Sequence, residues 1–472
     1  MQPVICYGGS LLAFLFLVAI YSRYSLDFPY ADQWDFVPTL DHALKGQLSM
    51  GGLWAQHNEH RLIFPRLLML ALALPSHWNI YWEYAANLGL AILTWMVLCL
   101  QARVSGKTLV SGSNAPVYLI FALIVFSLSQ WGNWFLGWQM QAFMNVLASL
   151  LAFIALSWRR YPAGAMSLAA LFGIVATYSF ANGLLVWPIG LFLIWLQRAE
   201  RGEGFRDQMI GWSGVSVAVV TTYLVGYSSP PHHTSLLHAL MQPLHCLVYV
   251  FNYLGQPLGQ ASDILSIALE VLGFGSGPGA SALSIFMGLL GVLLWGVTLA
   301  QLRISGVPSH ALIPWIGISI YAIGTAALTA LGRVDEGIAQ ALSSRYVTMA
   351  NLLWYSVAVQ VFWAAQILEG KLTRVVLPYK VYVLCAALVL ASFAGTYRWT
   401  ERYHVYSALR GALLTGQDPT VLTPLYPPDP SRILERRPLL EAHGLGIFGG
   451  QPAAVSEVDS MDASDAPALA PR

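Results

Sequence analysis

Two short polar stretches near the N-terminus, Tyr30-Ala31-Asp32-Gln33-Trp34-Asp35 and His57-Asn58-Glu59-His60-Arg61, carry the residue types that chemistry needs. Asp32, Asp35 and Glu59 are candidate catalytic residues. A carboxylate can take the proton from an acceptor hydroxyl as that hydroxyl attacks a sugar carbon. Asp32 and Asp35 could equally serve as helix-capping groups. His57, His60 and Arg61 are candidates for steering an anionic phosphate. Two histidines and a carboxylate could also hold a divalent metal, provided their three-residue spacing lies on one helix face. No cofactor is firmly implied.

Arg333, Asp335 and Glu336, followed by Ser343-Ser344-Arg345-Tyr346, form a second group late in the chain. An arginine heading an apolar run can snorkel to the interface. Arg333, Arg345 and Tyr346 could instead hold a lipid-linked phosphate as a leaving group. A third group, Trp131, Trp134 and Trp138 with Asn133, Gln139 and Gln141, rings a short turn between apolar runs. Tryptophan rings stack on the apolar face of a sugar and amides bond its hydroxyls. Trp134, Trp138 and Gln139 are therefore candidate substrate contacts, as are Asn182 at the next turn and Glu83 beside Trp82.

These residues must be positioned by membrane helices. The 472-residue chain is 57% hydrophobic and 10% charged, with mean hydropathy +0.59, the composition of a polytopic membrane protein. Its net charge of +1 suggests no polyanion partner, and nucleic acid is set aside. The four cysteines (Cys6, Cys99, Cys246, Cys385) show no metal or redox spacing. Runs long enough to cross about 30 Å of hydrocarbon occur at 4–22, 79–100, 115–131, 135–158, 164–180, 183–197, 209–227, 282–302, 311–331, 346–366 and 376–396. Two weaker runs, 239–255 and 258–275, bring the count from eleven to thirteen. Both counts are odd, so the chain ends face opposite sides.

Lys and Arg cluster in one set of loops: Arg103 and Lys107; Arg159 and Arg160; Arg198, Arg201 and Arg206; Arg303; Lys371 and Arg374. That set is expected to be cytoplasmic, although Arg23 alone argues the reverse for the first span. The polar groups above then face outward, with the N-terminus cytoplasmic and the C-terminus outside. The expected architecture is an all-α transmembrane bundle of 11–13 spans over residues 1–396. Its first outer loop, 23–78, should hold two interfacial helices, Pro38–Leu44 and Leu62–Leu74, each preceded by irregular backbone. An outer C-terminal segment, 397–450, packs on the membrane face, and a disordered tail covers 451–472.

On Tyr30–Asp35, His57–Arg61 and Arg333–Tyr346, within this arrangement of spans, the chain resembles the GT-C superfamily of integral-membrane glycosyltransferases. Phe135–Gln139, Asn182–Pro188 and Ser344–Tyr346 are also similar to segments of bacterial polytopic membrane proteins. The superfamily resemblance implies inverting transfer of a sugar from a polyprenyl-phosphate donor to an envelope glycan or lipid acceptor. The reaction would take place on the outer face of the bacterial inner membrane, among membrane lipids. Asp32 or Asp35 matches the family's acidic position in the first outer loop, with Asp35 slightly favoured. The chain departs from better-marked subfamilies by lacking a tight Asp-x-Asp or adjacent Glu-Asp pair there. Alternative readings are a lipid or glycolipid transporter or flippase, or an O-antigen polymerase- or ligase-like protein. Scarce mid-span charge and an early acidic loop weigh against both.

Overall fold

The computed structural model describes residues 2–107, 113–158, 162–202, 204–230, 234–271, 281–367, 371–416, 418–427 and 429–449. Each of the eleven longer apolar runs coincides with a helix. Among the described residues eight helical stretches, against the expected 11–13, are long and apolar enough to cross a membrane, among them Pro3–Tyr24, Tyr81–Gly106, Ser281–Ile304 and Ser344–Ile367. The protein is thus a multi-pass, almost entirely helical membrane protein. The apolar helices Ala163–Thr177 and Ala181–Leu196 are shorter.

Apolar residues surround these helices, so neighbours rather than an amphipathic stripe decide which face is covered. Met140–Leu156, Ser309–Arg333 and Val347–Ile367 are buried along most of their length and form the centre. Pro3–Tyr24 and Ser281–Ile304 lie outermost, exposing Leu11, Leu12 and Leu15, and Phe286, Leu289 and Leu293. A belt of exposed aliphatic and aromatic side chains of this kind suits lipid as its solvent. Of the two weaker runs, the first becomes the helix Pro243–Gly259. It packs against Ser281–Ile304 backbone to backbone, because a Cβ at Gly255, Gly259 or Gly288 would fall on the facing helix. The second forms only Asp263–Val271 before residues outside the described set.

The first loop holds three short helices rather than the expected two: Val37–Leu44, Met50–Trp54 and Ile63–Ser76. Its acidic stretches are also more ordered than expected. Asp32 and Asp35 sit in a 3₁₀ turn, Ala31–Phe36, and residues 56–61 form an antiparallel hairpin pairing Gln56 with Arg61 and His57 with His60. The hairpin turns on Asn58, whose φ of 48° lies in the left-handed region that asparagine tolerates better than most residues.

The C-terminal segment folds as Arg410–Thr415, Pro419–Leu425 and Ser431–Ala442. It docks on the first loop rather than lying apart from it. Arg410 pairs with Asp27 at 2.9 Å, His443 with Asp41 at 2.9 Å, and Gly446 donates its N–H to the His77 carbonyl at 2.8 Å. Expectations for Arg159, Arg160 and the 451–472 tail fall outside the described residues.

Candidate active site

In a 3₁₀ helix, residues three apart eclipse one another. Asp32 and Asp35 therefore share one side of the Ala31–Phe36 turn, while Gln33 and Phe36 share another and are buried. The buried side is anchored by the Gln33 amide, which donates to Glu83 Oε2 at 2.7 Å, and by the wholly buried Trp34. Tyr30, just before the turn, donates its phenol to the Phe135 carbonyl at 2.5 Å. The acidic side faces His57, with Nε2 at 3.9 Å from Asp32 and Nδ1 at 3.7 Å from Asp35.

The hairpin is clamped onto the C-terminal end of the helix Gly204–Leu224. Gln56 exchanges two hydrogen bonds with the Ser228 backbone, at 2.6 and 3.0 Å, and the Tyr223 phenol bonds the Glu59 carbonyl at 2.6 Å. Arg61 belongs to this clamp, not to a phosphate site. Its guanidinium donates to the carbonyls of Tyr223, Val225 and Trp54, capping helix ends where carbonyls lack partners.

A cavity of about 290 Å³ opens beside the hairpin. Nine of the candidate site residues line it, Asp32, His57, Glu59, His60, Gln139, Asn182, Arg333, Arg345 and Tyr346, together with Gln141 of the tryptophan turn. Arg333 bridges two acids, 3.7 Å from Glu59 and 3.2 Å from Glu336. The Arg345 guanidinium makes no hydrogen bond or ion pair among the described residues and lies 5.4 Å from the Tyr346 ring centroid. Burial alone would raise the pKa of Asp32. Its contact with His57 and the charges of His57, Arg345 and His60 outweigh that and hold it below the usual carboxylate range. His60 is stacked on Phe180 at 4.0 Å and accepts the Ala181 N–H on Nδ1 at 3.1 Å. Burial pushes its pKa down to about 4, so the ring is neutral near pH 7.

Four other expected site residues lie elsewhere. Asp35 sits behind His57, where the Tyr426 phenol contacts both its oxygens at 3.0 and 3.2 Å and Arg436 bonds Oδ1. Glu83 is buried, accepting from Trp78 Nε1 and Gln33 Nε2, both at 2.7 Å, which makes it the footing of the acidic turn. Trp134 is fully buried, its indole N–H donating to the Ser127 carbonyl, so no face is open to a sugar. Trp138 is also buried and packs edge-on against His57, centroids 4.9 Å apart, outside the cavity wall. The amide turn mainly braces the late segment: Asn133 bonds the Arg345 carbonyl at 2.9 Å and Thr348 Oγ1 at 2.6 Å.

Two neighbouring cavities were not expected. One of about 500 Å³ shares Arg345 and adds Trp131, Gln260, Arg398 and Arg402, with Arg402 4.6 Å over the Trp131 ring. The other, about 750 Å³, is almost wholly apolar and is lined by Leu258, Ala261, Met287, Trp354, Phe362 and Leu388 among others. It draws on the same two segments as the basic cavity, which uses Gln260 and Asp263 in one and Gly395 in the other. Basic residues widely separated along the chain offered no spacing from which this grouping could be read.

A metal fits this arrangement poorly. His57 and His60 do not converge, since the His60 ring is held against Phe180. Asp32, Asp35 and His57 can present ligand atoms within 4.8 Å of one another. Arg436, however, already lies on Asp35, and Arg432 stands 3.7 Å from the same oxygen. Comparison with protein-family models, with curated proteins and with solved structures finds no match to this chain.

Proposed function

We propose that this protein is a GT-C-like membrane glycosyltransferase that moves one sugar from a polyprenyl-phosphate donor to an envelope lipid or glycan acceptor. It would act at the outer face of the bacterial inner membrane, with 11–13 spans, its N-terminus inside and its C-terminal segment outside. The observation carrying this reading is the position of Arg345. Its guanidinium, which makes no hydrogen bond or ion pair among the described residues, borders both the carboxylate-lined cavity and the basic cavity next to the apolar one.

In this reading the apolar cavity takes the isoprenoid chain, and Arg345 meets the phosphate. The sugar occupies the cavity of Asp32, Gln139 and Asn182. An acceptor hydroxyl attacks the anomeric carbon from the face opposite the phosphate, forming a new C–O bond with inversion. The C–O bond to phosphate breaks, its electron pair leaving on a phosphate oxygen that Arg345 stabilises. The hydroxyl proton passes to Asp32, which is ionised and borders the cavity, whereas Asp35 is held by Arg436. Glu59, beside Arg333, lies at the rim where the acceptor enters.

The test is turnover of lipid-linked sugar in membranes carrying Asp32→Asn, Glu59→Gln or Arg345→Ala at matched protein levels. Loss of transfer with Asp32→Asn is the expected result. Retained transfer in all three variants would reject the assignment, and retained transfer with lost lipid movement would point to a carrier.

A further inference from the structure

Asp32, Asp35 and His57 look from their spacing like half of a divalent-metal site. The chain itself fills the other half. Arg432 and Arg436 lie one turn apart on the helix Ser431–Ala442 and so share a face. That face meets Asp35: Arg436 bonds Oδ1, Arg432 Nη1 stands at 3.7 Å, and the Tyr426 phenol contacts both oxygens. Asp35 and Arg436 are both largely shielded, their side chains 14% and 15% exposed. Asp35 also contacts His57 Nδ1 at 3.7 Å and feels the charge of Arg66, and the far side of the His57 ring faces Asp32.

We propose that Arg436 is the built-in cation of this cluster, a positioning residue that takes the place a divalent ion would otherwise take. Its meaning for the reaction rests on the transferase reading above, but its test does not. Three features support it. A guanidinium stays charged in proteins, so the positive charge beside Asp35 is permanent. A divalent ion ligated by Asp35 would sit about 2.0–2.6 Å from its oxygen and hence close to two guanidinium groups. The helix that carries Arg436 is also held independently, by His443 on Asp41 and by Arg437 on the Leu414 carbonyl at 2.7 Å. Placing Arg436 on Asp35 takes one of two adjacent carboxylates out of contention. It holds His57 from behind and leaves Asp32 as the ionised group facing the cavity. The C-terminal segment is then part of the site.

The test is Mn²⁺ binding, followed by electron paramagnetic resonance, to the full-length protein in detergent. Wild type and Arg436→Lys are expected to show no site that depends on Asp35. Arg436→Ala should gain one, at least about tenfold tighter than wild type, and lose it again when Asp35→Asn is added. If Arg436→Ala does not yield a monodisperse protein, Arg436→Gln is measured, with the same expectation. Stoichiometric Mn²⁺ binding by wild type that Asp35→Asn abolishes would overturn the proposal. So would the absence of any gain in the folded Arg436 variant. Because no sugar donor enters the measurement, failure of the transferase reading would appear separately, as missing turnover with Mn²⁺ behaviour unchanged.

Discussion

Gln33 and Glu83, fifty residues apart in sequence, are joined by a 2.7 Å hydrogen bond that seats the acidic turn on the helix Tyr81–Gly106. The other Glu83 oxygen takes the Trp78 indole. Gly137 packs so closely on this carboxylate that a Cβ there would fall on it. Glu83→Ala leaves two buried donors without an acceptor and should cost about 2–4 kcal/mol. Glu83→Gln keeps one acceptor and should cost less. Gly137→Ala overpacks the same point and should cost about 1–3 kcal/mol. Thermal unfolding in detergent checks all three.

Arg61 and Arg345 should behave oppositely. Arg61→Lys replaces a planar fork that reaches carbonyls of Tyr223, Val225 and Trp54, so it should lower stability markedly. Arg345→Ala removes a side chain that makes no hydrogen bond among the described residues and should leave stability within about 0.5 kcal/mol. Its effect should appear as about tenfold weaker binding of the lipid-linked donor, the loss of one charge-assisted contact. Unfolding curves and donor titration distinguish the two behaviours.

His60 makes the fold sensitive to mild acid. Its folded pKa of about 4 lies below the unfolded value of about 6.5. Between those values the unfolded chain binds a proton that the folded one does not, so stability falls as pH drops from about 6.5 towards 4. The full loss is about 3 kcal/mol. His60→Asn can still accept the Ala181 N–H without titrating, and should flatten this slope in pH-dependent unfolding.

Asp32 has the opposite chemistry and a different window. Its pKa is depressed, so its contribution to stability is present above the usual carboxylate value and lost only as pH falls through the lower folded one. If Asp32 is the base of the proposed transfer, its depressed pKa should keep turnover insensitive to pH throughout the neutral and mildly acidic range. Asp32→Asn should lower turnover by about 10²–10⁴. A pH profile of lipid-linked-sugar turnover tests both statements.

The apolar runs were readable because spanning a bilayer requires about twenty apolar residues, a signal carried by each segment alone. The grouping of Asp32, Glu59 and Arg345 at one cavity followed from loop parity, which counts spans and ignores packing. What the chain hid were the roles of neighbours. Asp32 and Asp35 look equivalent in sequence, and only the docking of Arg436 and Tyr426 separates them. Arg61 reads like a phosphate ligand, yet the helix end of Tyr223 and Val225 claims it. Trp134 reads like a sugar platform, but the burial of its ring depends on helices distant in sequence.

The bond from Trp399 Nε1 to the Tyr24 carbonyl, at 3.0 Å, and the pairing of Asp27 with Arg410 tie segments far apart in sequence to each other. Asp35 and Arg436 are 401 residues apart. At ribosomal speeds of about 5–20 residues per second, the early acidic loop waits roughly 20–80 s for its partners. Inserted nascent chains would therefore stay incomplete until Arg436 has been made, and any product stopping short of the helix Ser431–Ala442 would reach the membrane with Asp35 unguarded.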